Sequence, residues 1–189
     1  MRLLSIIFIL SIIFKSFGQS DNSEYEVFAL RYATMANKDP VSYVAQNAPD
    51  SLFFEPAFMF WLIKDSNGMN ILVDSGFVND DQSFKTRYNF ESYHRPDSLL
   101  QSLGISADDI TDIIITHPHR DHIDGIDLFT NAQIWMQKED FNYFVGEAWK
   151  LDKAEHGYME RDVLKIINAN FAQRLNLIDG EKEIFPGIS

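Results

Sequence analysis

The chain has 189 residues, 46% apolar and 23% charged, which excludes collagenous, low-complexity and wholly disordered proteins and suits one globular domain. Its 16 Lys and Arg stand against 28 Asp and Glu, and a net charge of −12 excludes nucleic acid and anionic lipid surfaces as natural partners. Cysteine is absent, which excludes disulfides, thiol catalysis and Cys-type metal sites, so any metal must be held by His, Asp or Glu.

Met1 and Arg2 precede an apolar run from Leu3 to Phe14, and Lys15, Ser16, Gly18, Gln19 and Ser20 follow it. A positive start, an apolar core of about a dozen residues and a small-residue exit form a secretory signal, whereas a spanning helix needs about 20 apolar residues. Residues 1–18 are therefore expected to be a signal peptide cleaved near Gly18. Residues 19–189 are expected to form one domain, exported to the periplasm or secreted, with no membrane contact after cleavage.

Tyr25–Tyr32 and Ala57–Lys64 are rich in β-formers and read as strands. The turn-forming Lys64–Gly68 joins the second run to Met69–Asp74, which predicts an antiparallel hairpin. Pro96, the spacing of Leu99, Leu100 and Leu103, and Gly104 as a stop predict a helix over Arg95–Leu103. Asp112–Thr116 is a continuous apolar run suited to a strand covered on both faces, and it leads straight into His117. Ala132–Gln137 predicts another strand, Lys138–Gly146 a helix and Met159–Leu175 a longer amphipathic helix. Leu177–Phe185 reads as a final hairpin, and the interleaved strands and helices predict an α/β layered fold.

Thr116-His117-Pro118-His119-Arg120-Asp121-His122 places three imidazoles and a carboxylate in one short loop. Neutral imidazole and carboxylate oxygen suit zinc at roughly 2.0–2.2 Å, and ligands gathered from one loop cost little chain entropy. Alternation sets His117 and His119 on one side, with Asp121 and His122 past the bend for a second ion. A His-rich surface turn, or a catalytic His without metal, would not account for the apolar strand that delivers the cluster. His94 and His156 stand alone among polar neighbours and read as solvated or hydrogen-bonded residues. Asp152, Glu155, Glu160 and Asp162 read as a solvated helix face. The abundant aromatics, Phe53, Phe54, Phe58, Trp61, Phe141, Tyr143, Phe144 and Trp149 among them, read mostly as core, some as walls of a groove.

His117–His122 with Gly125 behind it resembles the HxHxDH signature of the metallo-β-lactamase fold superfamily, and Leu72–Phe77 resembles that family's D(T/S)G loop. Tyr25–Tyr32, Phe60–Ile63, Leu103–Ile105, Leu128-Phe129 and Asn131-Ala132 are further similar to the N-acyl homoserine lactonase branch. The resemblance implies an αββα sandwich and a zinc-dependent hydrolase that opens a lactone or ester by attack of a metal-bound hydroxide. It implies two zinc ions, His117 and His119 holding the first, Asp121 and His122 the second, with Asp121 also passing a proton to the leaving oxygen. Asp74 would steady the metal loop through hydrogen bonds, or be simply a turn residue before Ser75-Gly76, and Thr116 would hydrogen-bond nearby. Thioesterases, β-lactamases and phosphodiesterases share the loop, and a non-enzymatic exported protein that keeps the fold for binding is the other class. In the family a third His, a bridging Asp and a last His come from later loops. Glu183–Ile188 resembles the strand before the third His, so the chain is expected to be C-terminally truncated, with the sandwich's second half incomplete.

Overall fold

The structure is a computed structural model that describes residues 24–80, 89–152 and 156–189. The expected signal segment lies outside the described residues, and among those described no helix is long and apolar enough to cross a membrane.

Nine strands are described: β1 (Tyr25–Met35), β2 (Asp39–Pro40), β3 (Phe53–Phe54), β4 (Ala57–Asp65), β5 (Asn70–Val73), β6 (Phe90–Tyr93), β7 (Asp112–Ile114), β8 (Gln133–Gln137) and β9 (Leu175–Ile178). The helices are α1 (Pro96–Ser102), α2 (Arg120–Ile123), α3 (Lys138–Val145) and α4 (Glu160–Phe171). Seven strands form one sheet in the order β6-β1-β4-β5-β7-β8-β9, and β2 pairs with β3 alone. The β6-β1-β4-β5 half is antiparallel and the β5-β7-β8-β9 half parallel. The predicted β4–β5 hairpin forms because Asp65 Oδ1 accepts the Asn67 and Met69 amides at 2.9 and 2.7 Å, with Gly68 at φ +92 closing the turn.

One face of the sheet carries Tyr32, Phe60, Leu62, Leu72, Ile113, Ile134 and Met136, all buried in the cluster that also takes Leu100, Phe144, Ala148, Ile166 and Ala169 from the helical segments. Each such Leu, Ile or Phe contributes about 1.5–3 kcal/mol on burial, so the helices are held to this face by side-chain packing. Tyr32, Phe58, Phe60, Phe77, Phe90 and Tyr93 join at 5.1–6.3 Å at the antiparallel end, edge-on or tilted except for the stacked Phe77 and Tyr93. The opposite face presents Val27, Met59 and Trp61 to solvent.

The structure departs from the sequence expectation in three places. Leu177–Phe185 is not a hairpin: β9 emerges from α4 and pairs parallel to β8, Ile134 opposite Leu175, and only an isolated bridge joins Phe185 to Ile188. The last helix stops at Phe171 because Gln173 adopts φ +59, and Arg174 then donates to the Ala132 and Phe129 carbonyls. Asp162 is not solvated but fully buried, in the first turn of α4.

Asp162 lies against Asp124, which accepts the Val78 amide at 2.8 Å, the Arg161 guanidinium at 2.7 Å and Lys165 Nζ. These donors outweigh the burial that would raise Asp124 and hold it below the usual carboxylate range. Both Asp162 oxygens are sealed without a donor among the described residues. Burial and the Asp124 charge push Asp162 up to about 8, so it keeps its proton at neutral pH. The unfolded chain releases that proton near the ordinary aspartate value of 3.8, so folding binds it and this pair's contribution to stability falls as pH rises from about 4 to about 8. Thermal unfolding of Asp162→Asn alongside the parent is expected to show the parent losing ground to the variant between about pH 5 and pH 8.5. An unchanged difference would show that Asp162 ionises normally.

Candidate metal centre

β5 and β7 are parallel neighbours, Val73 opposite Ile114, so their carboxyl ends deliver Asp74 and Thr116-His117 side by side. That is the edge where open α/β sheets bind ligands. The Asp74 amide donates to the Ile114 carbonyl at 2.8 Å, and Asp74 itself adopts φ +65, a left-handed conformation that Asp tolerates better than most residues. The next residue clasps the far end of the histidine loop: the Ser75 amide and hydroxyl both donate to the His122 carbonyl, at 2.7 and 2.8 Å. Gly125 donates its amide to the Gly76 carbonyl at 2.9 Å. A Cβ on Gly125 would collide with the Ser75 carbonyl oxygen, so the two loops approach as closely as glycine permits. From β1, the buried Tyr32 hydroxyl donates to the Asp121 carbonyl at 2.9 Å.

The Asp74 carboxylate is the hub. It accepts the Thr116 amide at 2.9 Å, the Thr116 hydroxyl at 2.9 and 3.0 Å, and His122 Nδ1 at 2.7 Å. A hydroxyl has one proton, and the carboxylate takes it. Thr116 Oγ1 therefore meets His117 Nδ1, 3.1 Å away, as an acceptor. His119 Nε2 meets a third acceptor, the His156 carbonyl, at 3.2 Å. Every imidazole of the loop thus has one nitrogen tied to the protein, which turns the other, His117 Nε2, His119 Nδ1 and His122 Nε2, toward ligation. The rings cluster, with centroids 4.9 Å apart for His117 and His119 and 3.9 Å for His117 and His122.

His122 Nε2 lies 3.2 Å from Asp121 Oδ2. Burial would lower the His122 pKa, but its hydrogen bonds to Asp121 and Asp74 prevail and push it up to about 9. Burial would likewise raise Asp121, and His122 prevails there, holding it below the usual carboxylate range. Burial, with His122 and His119 beside it, lowers His117.

One pair of the donors, Asp121 and His122, is spaced as two ligands of a single ion would be. Two ligands on one zinc, each at roughly 2.0–2.2 Å and near a tetrahedral angle, sit about 3.4 Å apart. The Asp121–His122 separation of 3.2 Å is close to that. The ring centroids of His117 and His119 lie 4.9 Å apart. Among the described residues no three His, Asp or Glu side chains converge on one ion.

All five residues singled out in the sequence, Asp74, His117, His119, Asp121 and His122, therefore meet at one sheet edge. His94 is exposed and apart, while His156 is buried and its Nδ1 accepts the Tyr158 amide at 3.0 Å. That His156 is hydrogen-bonded agrees with the sequence reading. That its main chain reaches the site does not follow from any residue pattern, because a carbonyl leaves no signature in composition. The Tyr32 contact was missed for the same reason. Of the aromatics, Phe144 is core, whereas Phe53, Trp61 and Tyr143 are exposed.

The Gly125 contact gives a direct test of loop packing. Gly125→Ala is expected to destabilise the chain by about 2–3 kcal/mol, read from the denaturation midpoint, because backbone rather than a pliable side chain blocks the methyl. A loss below about 0.5 kcal/mol would mean the two loops are not so closely apposed.

The sequence matches the Metallo-beta-lactamase superfamily over residues 59–182. N-acyl homoserine lactonase AiiA of Bacillus thuringiensis subsp. kurstaki is 30% identical over 129 residues, which span 62% of this chain and 46% of that protein. The chain thus spans about half the length of the curated relatives it matches. Among solved structures, AidC, a dizinc quorum-quenching lactonase, superposes with a TM-score of 0.61 at 23% identity, over 86% of this chain and 60% of that one. An N-acyl homoserine lactone hydrolase with the product N-hexanoyl-L-homoserine at its catalytic metal centre gives a TM-score of 0.62 at 20% identity, over 85% and 62%. At such identities these structures speak for the fold alone. With the family match covering most of the chain, and with its HxHxDH loop joined to an Asp74 loop at one sheet edge, the chain belongs to the metallo-β-lactamase superfamily.

Proposed function

We propose that this protein is a metal-dependent hydrolase that opens a lactone or another ester, with two zinc ions as cofactor. The observation that carries the reading is that each of the three loop imidazoles has one nitrogen held by an acceptor outside the donor cluster, with the Asp121 carboxylate on the other nitrogen of His122. Ordinary surface histidines have no such outer partners, whereas metal-ligating ones almost always do.

His117 and His119 would hold one zinc, and Asp121 and His122 the other. Bound there, zinc supplies a water acidic enough to ionise near neutral pH and a Lewis acid for the carbonyl. The chain's own residues do the rest. Asp74 and Thr116 accept from Nδ1 of His122 and of His117, which fixes the orientation of both rings. Asp121, one-third exposed and held ionised by His122, can accept a proton on a carboxylate oxygen and return it to the leaving alcohol.

The net charge favours a neutral substrate over a phosphodiester, because an acidic surface raises the cost of approach for an anion. The lactonase relatives supply the preference for a lactone. The leader-like residues 1–18 support export, which N-terminal sequencing of the protein recovered from outside the cytoplasm would test.

Zinc titration of the purified chain, with lactone opening followed by acid release, tests the reading. Zinc uptake is expected, together with turnover above a zinc-only blank that Asp121→Asn abolishes. Asp74→Asn is expected to weaken zinc uptake about 10–100-fold, because an amide facing His122 Nδ1 favours the wrong tautomer. A well-folded chain that takes up no zinc would sink the metal reading. Zinc uptake without turnover of any lactone or ester would leave a binding protein in place of a hydrolase.

A further inference from the structure

The ring of His119 is the one loop imidazole that Asp74 does not reach, and it is held from a different part of the chain. Its Nε2 lies 3.2 Å from the carbonyl oxygen of His156, 37 residues on. Gly157 follows at φ +68, and a Cβ there would stand 3.3 Å from His119 Nε2 and 3.4 Å from Cδ2. The ring of Tyr158 then packs against His119 at 5.1 Å and edge-on against the core residue Phe144 at 4.9 Å. Three consecutive residues thus touch one imidazole through a carbonyl, a bare Cα and an aromatic face.

The turn is built to present that carbonyl. The His156 side chain is buried, and its Nδ1 accepts the Tyr158 amide at 3.0 Å, bracing the bend from within. Its ring lies 5.0 Å from Trp149, whose indole N–H donates to the Phe144 carbonyl at 2.6 Å. The turn is thereby anchored to the end of α3 and to the core, not merely resting on the site.

We propose that His156-Gly157-Tyr158 is a positioning clamp for His119, fixing its ring plane and its Nε2–H tautomer so that Nδ1 faces the metal. The proposal rests on the metal reading above for its purpose, but its geometry can be tested apart from any metal. A carbonyl oxygen can only accept, so His119 Nε2 must carry a proton, and in the neutral ring Nδ1 is then the bare nitrogen. Gly157 serves the clamp because it supplies both the left-handed turn and the space for the carbonyl to meet the ring. A residue with a Cβ would push the ring off its partner and free the tautomer.

The test is a long-range proton–nitrogen correlation spectrum of the 15N-labelled 189-residue chain, without metal, at about pH 8, followed by zinc titration. The parent is expected to show His119, assigned by its loss in His119→Gln, as a single Nε2–H tautomer. Gly157→Ala is expected to show mixed tautomers and zinc affinity weaker by about 10–100-fold. Gly157→Asn separates contact from strain, since Asn tolerates a positive φ yet carries the Cβ, and it is expected to behave like the alanine variant. Gly104→Ala is the strain control. Gly104 adopts φ +79 with nothing within 4 Å of a Cβ, so this variant is expected to lose stability while His119 and zinc affinity stay unchanged. Tyr158→Phe keeps the ring and is expected to match the parent. A parent His119 that is Nδ1–H or averages between tautomers would overturn the clamp whatever zinc does, as would an unaltered His119 in both Gly157 variants. Failure of the parent to take up zinc would overturn the metal reading, while the tautomer still decides the clamp.

Discussion

The carboxylate of Asp74 accepts a backbone amide, a threonine hydroxyl and a histidine N–H at once, and most of the site is a consequence of that. It ends β5, and its partners lie just beyond β7 and in α2, so one side chain ties together two strand ends and the start of a helix. Because it accepts the only proton of the Thr116 hydroxyl, it also decides how that hydroxyl meets His117. A single acceptor therefore orients two imidazoles through Nδ1, one directly and one through an intermediate. Such an arrangement needs the parallel β5–β7 pairing, since only neighbouring strands that run the same way bring their ends to one edge.

Around this hub the chain spends polar groups on holding loops rather than on contacting solvent. Ser75 fastens the His122 carbonyl, Tyr32 the Asp121 carbonyl, and Gly125 admits the backbone of the Asp74 loop. Asp124, two residues past His122, anchors α4 through Arg161 and Lys165. The buried pair of Asp124 and the protonated Asp162 shows the same economy: burial makes a second charge too costly, so one carboxyl stays neutral beside the other. The insert between α3 and α4 adds the last support, on His119.

Much of this was legible before any coordinates. Hydrophobic runs bounded by turn chemistry marked β1, β4, β5, β7 and β8, and Pro96 with Gly104 bracketed α1, because these elements are decided by local backbone preference and period. The short strands β2, β3 and β6 carried too few residues to show a period, and they exist because β1 and neighbouring loops offer unpaired backbone. The supposed hairpin after Leu177 failed for a related reason. Its residues are good β-formers, but a helix that returns the chain along the sheet places the next strand parallel to β8.

Residue types alone narrow the chemistry: without cysteine, the imidazoles and carboxylates of residues 117–122 are the densest set of candidate metal donors, and their delivery by an apolar strand follows from hydropathy. The family is legible too, through motif spacing that survives low identity. Folding settles which nitrogen of each imidazole meets an acceptor, since those acceptors lie one, 37 and 48 residues distant in sequence. It likewise decides that Asp162 is buried, although its helical neighbours are charged. Long-range packing sets the dielectric and the partners of each group, and neither is written in the residues beside it.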